Sequence, residues 1–132
     1  MNSTGQRTNR GRCLCGACVF ELTGAPNWVG HCHCESCRRA TASPFTTWIG
    51  QENESWKSFG DTPVSYVSNP ANTRGFCGKC GSPLYFRAER FPNEVHFYAA
   101  ILEHPESVTP RVHFHASEML SWVNLSDNLP RT

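Results

Sequence analysis

Cys77-Gly78-Lys79-Cys80-Gly81-Ser82 is a glycine-framed C-x-x-C turn, and its reading decides how the chain folds. The glycines accept the positive φ that lets two sulfurs and several backbone N–H groups face one ion. Outward from this turn lie two triplets, Cys13-x-Cys15-x-x-Cys18 and Cys32-x-Cys34-x-x-Cys37, so all 8 cysteines sit at metal-ligand spacing. Two ligands on one short segment lower the entropic cost of closing a metal loop. Disulfides are the alternative for so many cysteines, but Met1 to Arg12 is polar and holds no apolar run that would serve export. Cys-x-Cys in a strand also turns both sulfurs to one face, which suits a shared ion better than two bridges. The spacing points to zinc, a two-ion protein and a reducing, cytoplasmic setting.

The 132 residues predict one domain over residues 11–132, preceded by a flexible polar tail over residues 1–10. A formal net charge of +1 with scattered Lys and Arg gives no electrostatic footprint for nucleic acid. No apolar stretch reaches the roughly 18 residues of a membrane span. Nothing in the sequence bears on the oligomeric state.

Apolar segments are short, alternate, and end at turn residues. Val19 to Leu22, Phe45 to Ile49, Val64 to Val67, Leu84 to Phe86, Val95 to Ile101 and Arg111 to His115 read as strands. Helical turns are expected at Glu35 to Thr41 and Ser117 to Leu120. The fold class is therefore mainly β.

Two partitions of the sulfurs are open. Each triplet can take one sulfur of the Cys77/Cys80 pair, giving two saturated sites. Alternatively Cys13, Cys15, Cys77 and Cys80 close one site, and Cys32, Cys34 and Cys37 hold a second ion with a free position. The C-x-x-C turn favours the second, since splitting its pair discards the geometry it builds. Cys18, inside an apolar strand signal, then reads as a small core hydrophobe.

Cys13-Leu14-Cys15-Gly16-Ala17, Cys32-His33-Cys34-Glu35-Ser36-Cys37-Arg38-Arg39, Ser43-Pro44-Phe45, Arg74-Gly75-Phe76-Cys77-Gly78-Lys79-Cys80-Gly81-Ser82-Pro83-Leu84 and Asp127-Asn128-Leu129-Pro130 together resemble the glutathione-dependent formaldehyde-activating enzymes, whose domain is shared with centromere protein V. The resemblance implies several small coiled antiparallel β-sheets stapled by zinc, similar to the methionine sulfoxide reductase B fold. It implies a structural zinc on Cys13, Cys15, Cys77 and Cys80 and a catalytic zinc on Cys32, Cys34 and Cys37. The implied activity is a carbon–sulfur lyase reaction run as synthesis, joining glutathione to formaldehyde as an S-hydroxymethyl adduct. The alternative is a non-catalytic zinc-stapled interaction module, although the basic extension expected of a chromatin binder is absent from the sequence.

Independently of the family, three thiolates give Zn²⁺ a formal charge of −1, which acidifies water weakly and favours a soft sulfur in the fourth position. Arg38 and Arg39, directly after the third cysteine, are candidates for a substrate carboxylate. Phe45 and Trp48 are candidate walls for a small substrate. Trp56, Phe59 and Tyr66 read as core. His31, His33 and the His113-x-His115 pair read as hydrogen-bonded histidines outside the ligand set.

Overall fold

The computed structural model describes residues 8–132. Ten strands form two sheets. Thr8–Arg12 (β1), Cys18–Thr23 (β2) and Trp56–Gly60 (β5) make a three-stranded antiparallel sheet in the order β1-β2-β5. The larger sheet contains Trp28–Cys32 (β3), Thr46–Glu52 (β4), Val64–Asn69 (β6), Asn72–Phe76 (β7), Pro83–Ala88 (β8), Glu94–Tyr98 (β9) and His113–Phe114 (β10). Its order is β10-β3-β4-β9-β8-β7-β6, antiparallel except for the parallel β10–β3 pair. The mainly β expectation holds, with the strands gathered into one large and one small sheet rather than several small ones.

Both faces of the large sheet are covered, and the period of two sorts the side chains between them. One face carries Ile49, Val95 and Phe97 against Phe20 and Leu22 of the small sheet, all nearly fully buried, and Leu84 joins them where the β7–β8 register shifts. The opposite face carries Trp48, Phe86 and Tyr98 together with Cys32 and Cys37. Along β4, Trp48 and Ile49 thus serve two different cores.

Several expectations change. Within the tail expected over residues 1–10, Thr8 to Arg10 pair with Glu21 to Thr23 because the β2 edge needs a partner, and residues 1–7 lie outside the described part. The strand expected over Val95 to Ile101 ends at Tyr98, and Ala99–Ile101 form a 3-10 turn. At the other end of the chain, Ala116–Glu118 form another such turn, overlapping the expected Ser117 to Leu120. Trp48 is buried, whereas Phe59 and Tyr66, expected in the core, are 41% and 46% exposed because β5 and β6 are edge strands. The helix Glu35–Thr41 (α1) lies where expected.

Candidate metal centre and its cavity

The sulfurs of Cys13, Cys15, Cys77 and Cys80 all lie within 4.8 Å of one another. Cys13 and Cys15 come from the turn joining β1 to β2, Cys77 and Cys80 from the turn joining β7 to β8. Gly16 and Gly81 supply φ values of +82° and +78° in these turns, where a side chain would be strained. The Cys18 N–H donates to Cys13 Sγ at 3.3 Å, and the Lys79 and Cys80 N–H groups donate to Cys77 Sγ at 3.4 Å. Ser82 Oγ, 3.2 Å from Cys80 Sγ, also accepts from the Leu14 N–H and so ties the two turns together. The Ser82 hydroxyl and nearby backbone N–H groups pull the Cys80 thiol down to about 5, which prepares it as a thiolate ligand.

Cys32, Cys34 and Cys37 form the second cluster, at the end of β3 and the start of α1. Cys34 is the N-cap of α1: its sulfur accepts the Cys37 N–H at 3.3 Å, so the residue that starts the helix also turns its thiol toward the other two. Cys37 and Cys32 sulfurs are 3.5 Å apart. Hydrogen bonds from Cys32 and Cys34 hold the Cys37 thiol far below its ordinary value, and the same contacts with burial push Cys32 far above it. Thiolates this close repel one another, and a bound cation would offset that repulsion.

The donor sets fit zinc. Sulfurs at 3.6 and 3.8 Å in the first cluster and 3.5 Å in the second span the edge of a tetrahedron; a Zn–S bond of about 2.3 Å gives an edge of about 3.8 Å. No two cysteines are joined as a disulfide. Among the described residues no fourth His, Cys, Asp or Glu joins Cys32, Cys34 and Cys37. Cys18 stays out of both clusters, 1% exposed in the core, its thiol pushed up to about 12 chiefly by burial.

The three-sulfur cluster opens onto a cavity of about 560 Å³. Its floor is a single cross-strand row, Trp28–Gly50–His96–Phe86–Arg74, running through β3, β4, β9, β8 and β7. Gly50 is required there: a Cβ would lie 2.2 Å from Trp28 Nε1, so its absence lets the indole lie across β4. Glu94 fixes the walls by accepting from Trp28 Nε1 at 3.2 Å and from His96 Nε2 at 3.0 Å. Burial lowers the affinity of His96 for a proton and leaves the ring neutral, despite Glu94.

Of the residues expected to meet substrate, Trp48 lines this cavity and Arg38, Arg39 and Phe45 do not. Arg39 pairs with Glu35 at 2.7 Å on the exposed side of α1, and Arg38 donates to the His33 carbonyl at 3.4 Å. Phe45 packs on His31 and His33 and lines a separate cavity. His31 shares a hydrogen bond with Thr47, and burial lowers its proton affinity. His33 is fully buried and its Nε2 lies 2.9 Å from His113 Nδ1, while His113 Nε2 lies 3.0 Å from Asp127. His115, expected on the His113 face, leaves the strand at φ +54°.

The family model described as glutathione-dependent formaldehyde-activating enzyme matches residues 8–118. An uncharacterized lyase of Schizosaccharomyces pombe is 30% identical over 99 residues, covering 75% of this chain and 72% of that protein. A putative glutathione-dependent formaldehyde-activating enzyme of Halomonas elongata is 25% identical over 125 residues, 87% of this chain and 79% of its own length. A crystal structure of a Rhodobacter sphaeroides protein shares the fold, with a TM-score of 0.60 and 20% identity over 93% of this chain and 99% of that one. With the family model spanning most of its length, the chain belongs to the glutathione-dependent formaldehyde-activating enzyme family.

Proposed function

We propose that this protein joins a thiol, glutathione above all, to a small aldehyde such as formaldehyde, giving an S-hydroxymethyl adduct, a carbon–sulfur lyase reaction run in the direction of synthesis. The observation that carries this reading is the three-sulfur cluster without a fourth protein ligand, opening onto the cavity. Cys32, Cys34 and Cys37 would hold a catalytic zinc, and Cys13, Cys15, Cys77 and Cys80 a structural one. When bound, the catalytic ion would supply a Lewis acid that lowers the pKa of a substrate thiol. The thiolate sulfur then attacks the carbonyl carbon, the C–S bond forms as the C=O π bond breaks, and the proton lost by the thiol ends on the new hydroxyl. Trp28, Trp48 and Phe86 exclude water from the sulfur while it reacts, and Glu94 keeps the Trp28 and His96 rings in place.

Eight unbridged cysteines support a reducing compartment, and we place the protein in the cytoplasm. No helix of the described residues is long and apolar enough to cross a membrane. Metal content with glutathione titration tests the proposal. Two zinc ions per chain, one of them lost in Cys34→Ala, with adduct formation by NMR faster than the uncatalysed reaction, are the expected results. Two ions untouched by thiol, with no acceleration over background, leave the interaction-module reading in possession.

A further inference from the structure

Arg74 is the unusual residue of the cavity. It sits on a central strand, 7% exposed, at the end of the cross-strand row that starts at Trp28. Its guanidinium stacks on Phe86, 4.9 Å from the ring centroid, and Nη1 donates to Tyr98 Oη at 3.3 Å. Among the described residues no carboxylate comes within ion-pairing distance of it, although Arg10, Arg12 and Arg39 each have one. A guanidinium with five donors, one phenol partner and no carboxylate has N–H groups left to offer a ligand in the cavity.

The lining of the cavity has the same sign. It includes Arg74 and Arg90 and holds no Asp or Glu. Arg90 is exposed at the rim and stacks on Phe91, 5.0 Å from the ring centroid, which holds its guanidinium in reach of the opening. Asn69 and Asn72, beside Arg74 on the β6–β7 hairpin, add amides that can donate to an oxyanion. Cys32, Cys34 and Cys37 line the same cavity. A ligand that meets both groups carries a sulfur and a carboxylate.

We propose that Arg74, with Arg90 at the rim, forms a carboxylate subsite that makes the cavity selective for thiols bearing an acidic group. This rests on the reading of the three-cysteine cluster as the place where substrate sulfur binds. Arg74 is then a specificity-determining residue: it pairs with the carboxylate, and the chain length between carboxylate and sulfur decides which thiols reach the cluster. The planar fork suits bidentate pairing, and Phe86 and Tyr98 hold it in one orientation before the ligand arrives.

The test compares 3-mercaptopropionate with its methyl ester, two probes that differ in the carboxylate charge. Binding to the zinc-loaded full chain is read by calorimetry and by quenching of Trp28 and Trp48. The wild type should bind the acid at least about tenfold more tightly than the ester, the range of one charge-assisted pair. Arg74→Gln should bring that ratio to about one without weakening the ester, and Arg74→Lys should keep part of it. Equal affinities in the wild type overturn the proposal with no variant needed, which covers the case in which Arg74→Gln does not fold. A ratio unchanged in Arg74→Gln overturns it, and so does equal loss of acid and ester, which would mean that Arg74 serves the sulfur cluster alone. Propionate, which has no sulfur, separates this proposal from the reading beneath it. Propionate binding that is lost in Arg74→Gln supports the subsite even where neither thiol perturbs the metal, and wild type that binds neither propionate nor the acid sinks the subsite.

Discussion

Gly50→Ala should damage the cavity while leaving the backbone free of strain. The new Cβ would stand 2.2 Å from Nε1, 2.4 Å from Cε2 and 2.8 Å from Cδ1 of Trp28, so a rigid ring, not a flexible tip, must move. Trp28 gives up its hydrogen bond to Glu94 and its edge contacts with His96 and Phe114, at 4.8 and 5.4 Å between centroids. Overpacking costs about 1–3 kcal/mol, and a lost bond to a carboxylate about 1.5–3 kcal/mol if nothing replaces it. Alanine's stiffer unfolded chain returns roughly 0.5–1 kcal/mol, so the net loss should be about 1.5–5.5 kcal/mol. Urea unfolding of the zinc-loaded protein, monitored by circular dichroism, measures it, and metal content should stay at the wild-type value because Gly50 touches neither cluster. Adding Trp28→Phe to Gly50→Ala should recover part of the loss, a coupling that a double-mutant cycle isolates. A loss under about 0.5 kcal/mol, or strict additivity of the two changes, would refute the claim that the indole rests on Gly50.

Cys18→Ala should keep both metal equivalents by elemental analysis and cost about 1–2 kcal/mol of stability, since it removes a buried sulfur from the core and no ligand; loss of one equivalent would reassign the clusters. His113→Ala strips His33 Nε2 of its partner in a fully buried setting and leaves a cavity, for about 2–4 kcal/mol, and should speed the release of metal from the three-cysteine site to a chelator. Unchanged release would confine His113 to packing. Burial depresses the proton affinity of folded His96 below the ordinary 6.5 that it regains on unfolding. The unfolded chain therefore binds the proton first, and the stability His96 contributes as a neutral ring is complete above about pH 6.5 and falls as pH drops toward its folded value. Unfolding curves at stepped pH should show this fall, flattened in His96→Phe; an identical slope in that variant would remove His96 as the source.

Elements that carry their own signal were legible in the sequence, and elements defined by their neighbours were not. The short run Glu35 to Thr41 marked α1, and Cys18–Thr23 alternates cleanly between core and surface. Trp28–Cys32 has a glycine at its centre and two polar-capable residues, and Asn72–Phe76 is half polar; both become strands because partners on each side supply ladders. Thr8–Arg12 is polar throughout and joins the sheet only as an edge. The same limit applies to the site. Cysteine spacing brought the Cys32–Cys37 triplet and the two pairs Cys13/Cys15 and Cys77/Cys80 to light because ligands close in sequence are close in space, while the meeting of those pairs across 62 residues depends on the fold. Arg74 entered only as the start of a motif, since its place opposite Phe86 depends on register across five strands. Arg38 and Arg39 looked eligible by adjacency to Cys37, but the helix turns one toward a carbonyl and the other toward Glu35.

The two clusters differ in what they tie together, and that difference fits their proposed division of labour. Cys15 and Cys77 are 62 residues apart, and their cluster joins a turn of the small sheet to a turn of the large one. An ion there would close a long loop, where constraining the unfolded chain stabilises most. Cys32 to Cys37 spans a strand end and one helical turn, whose local hydrogen bonds already hold it, so an ion there restricts the unfolded chain little. A site with little structural duty can leave one coordination position open without weakening the fold. It also stands beside the aromatic core of the large sheet, where Trp48 and Tyr98 stack at 4.0 Å and keep the sulfurs dry on one side while the cavity admits ligand on the other. The proposed division puts chemistry where the fold can spare a ligand, and stability where the chain is hardest to close.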